Sequence, residues 1–185
     1  AGVAIVALGA LAAGVGGGDA GPAPVVRTAI APFSPAMPRP IGAFTALAPD
    51  GSSMVYAVTS DPEAQLSELE WNLALKPRGQ TEPVILNGTE NGQHPTYSPD
   101  GMSIVYVSGA ELRRRPVGAG VQQTLASGVA PGPQSMVALS WMDDGTILYE
   151  LPGSTLMRVA EGGGAPDTVA VLGPDGLGFV QLSYV

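Results

Sequence analysis

Residues 97–125 read YSPDGMSIVYVSGAELRRRPVGAGVQQTL. Short apolar runs flank Ser98-Pro99-Asp100-Gly101, and two further segments flank Gly118-Ala119-Gly120. Proline presets φ for the second position of a turn, aspartate suits the third, and glycine takes the left-handed angle that closes the hairpin. After the turn, Ile104, Tyr106 and Ser108 alternate with Val105 and Val107. That period of two predicts a strand with one face aromatic and polar at its edges and one face apolar, both covered at least in part by neighbouring sheets. The stretch as a whole predicts four antiparallel strands joined by tight turns, which is one complete sheet.

The same text returns. An offset of 44 takes Asp100-Gly101 to Asp144-Gly145, Tyr97 to Trp141, Leu112 to Leu156 and Arg114 to Arg158. It also takes Gly118 and Gly120 to Gly162 and Gly164, and Thr124-Leu125 to Thr168-Val169. The second strand of the later copy reads one residue shorter, Tyr106 against Tyr149. Upstream, Pro49-Asp50-Gly51 and Tyr56 precede their counterparts by 50, whereas Val84-Ile85 precede Thr124-Leu125 by only 40. An insertion of about ten residues is therefore expected between the second and third strands of the first copy, around Ser60–Glu70, where added length is tolerated. One sheet copied with no helix between copies predicts an all-β chain built as a partial β-propeller. Three four-stranded antiparallel blades are expected at about 41–87, 93–127 and 136–172, with the first strand of a fourth at 178–185. Closed propellers use about four to eight blades, so the rest of the ring is expected from a longer chain or from another chain.

Composition narrows the chemistry. With no cysteine among 185 residues, disulfides and thiolate metal sites are excluded. A net charge of −8 argues against nucleic acid as a partner. Residues 1–18, AGVAIVALGALAAGVGGG, carry no charge and approach the ~20 residues that cross a bilayer. The first reading is a transmembrane helix, the second the apolar core of a signal peptide, the third a buried helix. Residues 19–40, DAGPAPVVRTAIAPFSPAMPRP, are Pro-rich and predict a semi-extended linker between membrane and folded region.

Candidate site residues resolve mostly into turn chemistry. Pro49, Asp50, Gly51, Ser98, Pro99, Asp100, Gly101, Asp144 and Gly145 belong to the repeated hairpin, which outweighs a calcium reading of the recurrent aspartates. His94, the single histidine, precedes Pro95 at the start of a strand and has no histidine or cysteine company for a metal. No G-x-S-x-G elbow is present to supply a nucleophile. Gly16–Gly21 matches G-x-G-x-x-G in letters, but lacks the strand before and the helix after that dinucleotide binding requires. Asn87-Gly88-Thr89 is a glycosylation sequon in form and a strong turn dipeptide in chemistry, and the turn reading is preferred. Arg113-Arg114-Arg115 is the densest positive run; on a strand Arg113 and Arg115 share one face and Arg114 takes the other. A solvated outer strand is the first reading, and contact of Arg113 and Arg115 with an anionic partner is the sharper one. Tyr97 and Trp141, at equivalent positions, are expected to pack between blades. No catalytic, cofactor or metal residue is singled out.

LAPDGSSMVYAV, YSPDGMSIVYVSGAELRRRPVGAGVQQTLA and WMDDGTILYELPGSTLMRVAEGGGAPDTVA resemble the repeats of TolB-like, WD-repeat-like bacterial propellers. The third copy departs from the pattern, with Met142-Asp143 in place of Ser-Pro. An apolar Ala/Gly span, a Pro-rich linker and then such repeats resemble the C-terminal half of bacterial transmembrane serine/threonine protein kinases. That resemblance implies a cytoplasmic kinase domain before the span and an extracytoplasmic propeller that senses or binds a protein or peptide. No kinase motif lies in the chain, so no catalytic residue carries over. Two alternatives stand beside it: a periplasmic TolB-like envelope protein, and the propeller of a prolyl-oligopeptidase-like hydrolase.

Overall fold

The computed structural model describes residues 45–59, 70–129, 139–151 and 155–171. The expected membrane-type helix (1–18), the linker (19–40) and the first strand of a fourth blade (178–185) lie outside the described residues. Among the described residues no helix is long and apolar enough to cross a membrane.

The described chain is all-β. Twelve strands form three four-stranded antiparallel sheets in strict sequence order. Sheet 1 holds β1 (Thr45–Leu47), β2 (Ser53–Thr59), β3 (Trp71–Pro77) and β4 (Val84–Ile85). Sheet 2 holds β5 (Gly92–Tyr97), β6 (Ser103–Ser108), β7 (Glu111–Pro116) and β8 (Gln123–Ser127). Sheet 3 holds β9 (Leu139–Trp141), β10 (Thr146–Leu151), β11 (Thr155–Ala160) and β12 (Asp167–Val171). The first strands β1, β5 and β9 abut one another in turn, so the sheets succeed each other around a common edge in a propeller-like arrangement.

The repeated hairpin forms as its chemistry dictates. Gly51, Gly101 and Gly145 all take left-handed φ values, 68°, 71° and 81°. Their amides donate to the carbonyls of Ala48, Ser98 and Met142 at 2.8, 2.9 and 3.0 Å. The carboxylates of Asp50, Asp100 and Asp144 each accept from the amide two residues on, at 2.9 Å. Loss of the Ser-Pro pair in the third copy therefore leaves the turn intact, because Asp144 and Gly145 keep its two essential contacts.

The pairing corrects three expectations. First, β10 is as long as β6, six residues each, so the missing residue is not in the strand. It is in the loop: Ser98 N bonds Ser103 O, whereas Met142 N bonds Thr146 O. Second, Val84 and Ile85 face Leu75 and Ala74 as Gln123 and Thr124 face Arg114 and Arg113. The rear halves of the first two copies are thus 39 apart rather than 40, and Leu86, not Ile85, is the counterpart of Leu125. Third, β7 is the third strand of its sheet, not a solvated outer strand. The inserted length does fall between β2 and β3, from Thr59 to Trp71.

The core lies in the seams between sheets. Every residue of β6 is buried, because one face meets sheet 1 and the other meets sheet 3. Ile104 and Tyr106 pack with Val55, Ala57, Trp71, Leu73, Leu86 and Tyr97 in the first seam. Val105, Val107, Leu112 and Leu125 pack with Trp141, Ile147 and Tyr149 in the second. Tyr97 and Trp141 sit between sheets as expected, and Trp71 opens β3 inside the first seam. Replacing Ile104, fully buried, with alanine should cost about 2–5 kcal/mol. At the turn, a β-carbon on Gly101 would meet only Pro49 Cδ at 3.5 Å, so the cost of Gly101→Ala is conformational. It should be about 1–2 kcal/mol by urea titration. Gly92→Ala, whose β-carbon would lie 2.6 Å from the Thr89 carbonyl oxygen, should cost more than Gly101→Ala in the same measurement.

Candidate functional site

The three arginines of β7 are placed by strand alternation. Arg113 and Arg115 lie toward sheet 1, and Arg114 points to sheet 3. The face shared by Arg113 and Arg115 is therefore as the sequence predicts, but it borders a seam.

On that side, a polar cluster forms where β7 and the β7–β8 loop meet the connection from β4 to β5. Arg113 pairs with Glu111 Oε2 at 2.7 Å. The Gln122 amide donates to the Gly88 carbonyl at 2.8 Å and to the Tyr106 hydroxyl, and its oxygen accepts from Arg113 Nη1 at 3.1 Å. The orientation of that amide is fixed by these neighbours. Arg115 Nη1 donates to the Asn87 carbonyl at 2.7 Å. Burial pushes the Tyr106 hydroxyl above its usual pKa, while Arg113 and Arg115 pull it the other way. Of the two arginines, only Arg113 has a carboxylate partner among the described residues. Arg115 therefore presents a guanidinium whose planar fork could also accept a carboxylate or phosphate.

On the other side, Arg114 stacks over Trp141 with its guanidinium carbon 5.3 Å from the ring centroid. Its Nη1 also donates to the Glu161 carbonyl at 3.1 Å. Gln123 Nε2 donates to the Gly162 carbonyl at 2.8 Å. Arg114 and Gln123 together grip the turn that joins β11 to β12. In the first seam the same positions are Leu75 and Val84, and Leu75 and Val117 pack there against the apolar cluster. The hydroxyl of Tyr97 shares a 2.9 Å hydrogen bond with Ser53 across that seam.

The remaining candidates take structural places. His94, buried and at φ 51°, lies where β5 slips register against β6, since Gln93 faces Val107 but Thr96 faces Val105. Pro95 has no amide to give the ladder, so the bulge falls beside it. Gly88 takes φ 80°, in keeping with the turn reading of Asn87-Gly88. The hydroxyl of the buried Thr89 donates to Leu86 O at 2.6 Å and accepts from Leu73 N at 2.9 Å. Asp50, Asp100 and Asp144 are turn residues on three separate hairpins, and among the described residues no group of three metal-ligating side chains converges. The seam polar cluster escaped the sequence because Gln122 and Tyr106 meet only through strand pairing within sheet 2, and Gly88 reaches them from the β4–β5 connection.

No known protein family matches the chain, and no curated protein matches it either.

Two outcomes follow from these contacts. Arg114→Ala should lower stability by about 1 kcal/mol by removing the cation–π stack and its carbonyl bond. The carboxylate of Asp100 is held below the usual 3.8, first by the Ser98 hydroxyl and then by the Met102 amide. A depressed carboxylate adds stability above its unfolded pKa and loses it as pH falls through the folded value. Urea midpoints taken from about pH 6 down to about pH 2 should therefore fall less steeply for Asp100→Asn than for the parent chain.

Proposed function

We propose that the chain is a non-catalytic β-propeller region that binds a protein or peptide partner. It is carried on the extracytoplasmic side of a bacterial membrane by residues 1–18, as the outer part of a membrane serine/threonine protein kinase. The observation that carries the binding reading is the stacking of three alike sheets, which places the buried residues in seams and leaves turns and seam edges on the surface. The order of an uncharged span, a Pro-rich linker and the repeats supports the membrane placement. Within that surface the contact is assigned to Arg113 and Arg115, with Arg115 as the guanidinium offered to an acidic group. The resemblance of the repeats to TolB-like, WD-repeat-like propellers supports an interaction role of this kind.

Two experiments test the reading. A library of acidic and phosphorylated peptides, displayed against the protein, should yield binders that Arg115→Glu weakens about tenfold or more, with the circular dichroism spectrum unchanged. Binding that is indifferent to Arg115→Glu and to the Arg113→Glu/Arg115→Glu pair overturns the assignment. Alkaline phosphatase fused after Val185, downstream of the natural upstream sequence, should be active in bacterial cells. An inactive, stably expressed fusion overturns the extracytoplasmic placement.

A further inference from the structure

Two Asn-Gly pairs, Asn87-Gly88 and Asn91-Gly92, lie between the end of β4 and the start of β5. Glycine carries no side chain, so its amide nitrogen can close on the side-chain carbonyl carbon of the asparagine before it. That attack needs a nitrogen that is open and not already donating a hydrogen bond.

The structure separates the two pairs on this point. At the second pair, the Gly92 amide donates to Thr89 O at 2.8 Å, and the Asn91 amide donates to Trp71 O at 2.6 Å. Gly92 is buried, and a β-carbon there would lie 3.0 Å from Leu73 Cγ. At the first pair both residues are exposed. Among the described residues, neither the Gly88 amide nor the Asn87 side chain makes a hydrogen bond. The carbonyls around that amide are held instead: Asn87 O by Arg115 Nη1 at 2.7 Å, and Gly88 O by the Gln122 amide at 2.8 Å. The turn is fixed by its oxygens while the nitrogen inside it stays open.

We propose that Asn87 is a self-modification site, at which the side-chain amide is lost and a carboxylate arises beside Arg115. The Gly88 amide gives up its proton to solvent base, and its nitrogen bonds to Asn87 Cγ. The Cγ–Nδ2 bond then breaks, and ammonia leaves with a proton from solvent, closing a succinimide ring. Water adds to one ring carbonyl. Opening at Cγ yields aspartate, and opening at the backbone carbonyl yields isoaspartate. The balance is water consumed, ammonium released and one negative charge gained by the chain, with no change of oxidation state. Arg115 already touches the Asn87 backbone oxygen, so the new carboxylate arises within a side chain's reach of its guanidinium. It supplies the carboxylate partner that Arg115 lacks among the described residues. Resting on the reading of Arg115 as the contact for an acidic partner, the modification closes that contact as the protein ages.

Peptide mass spectrometry of the full chain, held at mildly alkaline pH in heavy-oxygen water, tests the site. Cleavage after Glu90 separates the two pairs, and the label marks acids formed during the incubation. In the folded chain Asn87 should convert about tenfold or more faster than Asn91, and in denaturant the two rates should converge. Equal rates in the folded chain, or a faster Asn91, overturn the site. So does a difference that persists in denaturant, which assigns it to sequence and not to fold. Asn87→Asp should weaken binding of the acidic and phosphorylated peptides selected on the parent chain about threefold or more. Unchanged binding by that variant overturns the closing of the contact. Binding indifferent to Arg115→Glu overturns the partner reading alone, because the two conversion rates do not depend on any peptide.

Discussion

A sheet of four short strands has two faces and too little bulk to bury either alone. Every other property of this chain follows from that constraint. Both faces of β6 are apolar enough to be wholly covered, and coverage comes only from the sheets on either side. Hydrophobic transfer of the seam residues is the dominant favourable term. The repeat is therefore less a unit of folding than half of two joints, and stability propagates from neighbour to neighbour.

The joints are not chemically uniform. In the first, Leu75 and Val117 each pack against the apolar cluster and Tyr97 bonds Ser53. In the second, the corresponding places hold Arg114 over Trp141 and carbonyls of a turn. Trp141 Nε1, buried, finds no hydrogen-bond partner among the described residues, so the wider ring gains area and a cation at the loss of the bond that Tyr97 makes. Backbone geometry is held constant by the hairpin glycines while side chains trade one kind of adhesion for another. Unlike joints of this sort oppose slippage of a sheet into its neighbour's place.

Much of the fold was legible because it is written in turn residues and a period of two. Asp-Gly at a fixed spacing located the hairpins, and alternation along β6 gave the buried faces. What stayed illegible were register and reach. Val84-Ile85 align by letter with Thr124-Leu125, but the bulge at Leu125 shifts the pairing by one, and a bulge leaves no residue signature in that outer strand. Arg113, Arg114 and Arg115 looked solvated because charge suggests an outer strand; their long apolar stems let them lie along a seam, with the head groups of Arg114 and Arg115 on backbone carbonyls and that of Arg113 on Glu111. The polar cluster joins Tyr106 and Gln122 of sheet 2 to Gly88 in the connection from sheet 1, a meeting of distant residues that no local pattern encodes.

The threonine at position 89 has a consequence for the sequon it completes. Its hydroxyl is a strut inside the protein, held between a carbonyl and an amide and shut away from water. An enzyme that must grasp that hydroxyl beside Asn87 can do so only while the polypeptide is still emerging and unfolded. Once the strut is in place, the acceptor sequence survives as letters and ceases to exist as a substrate.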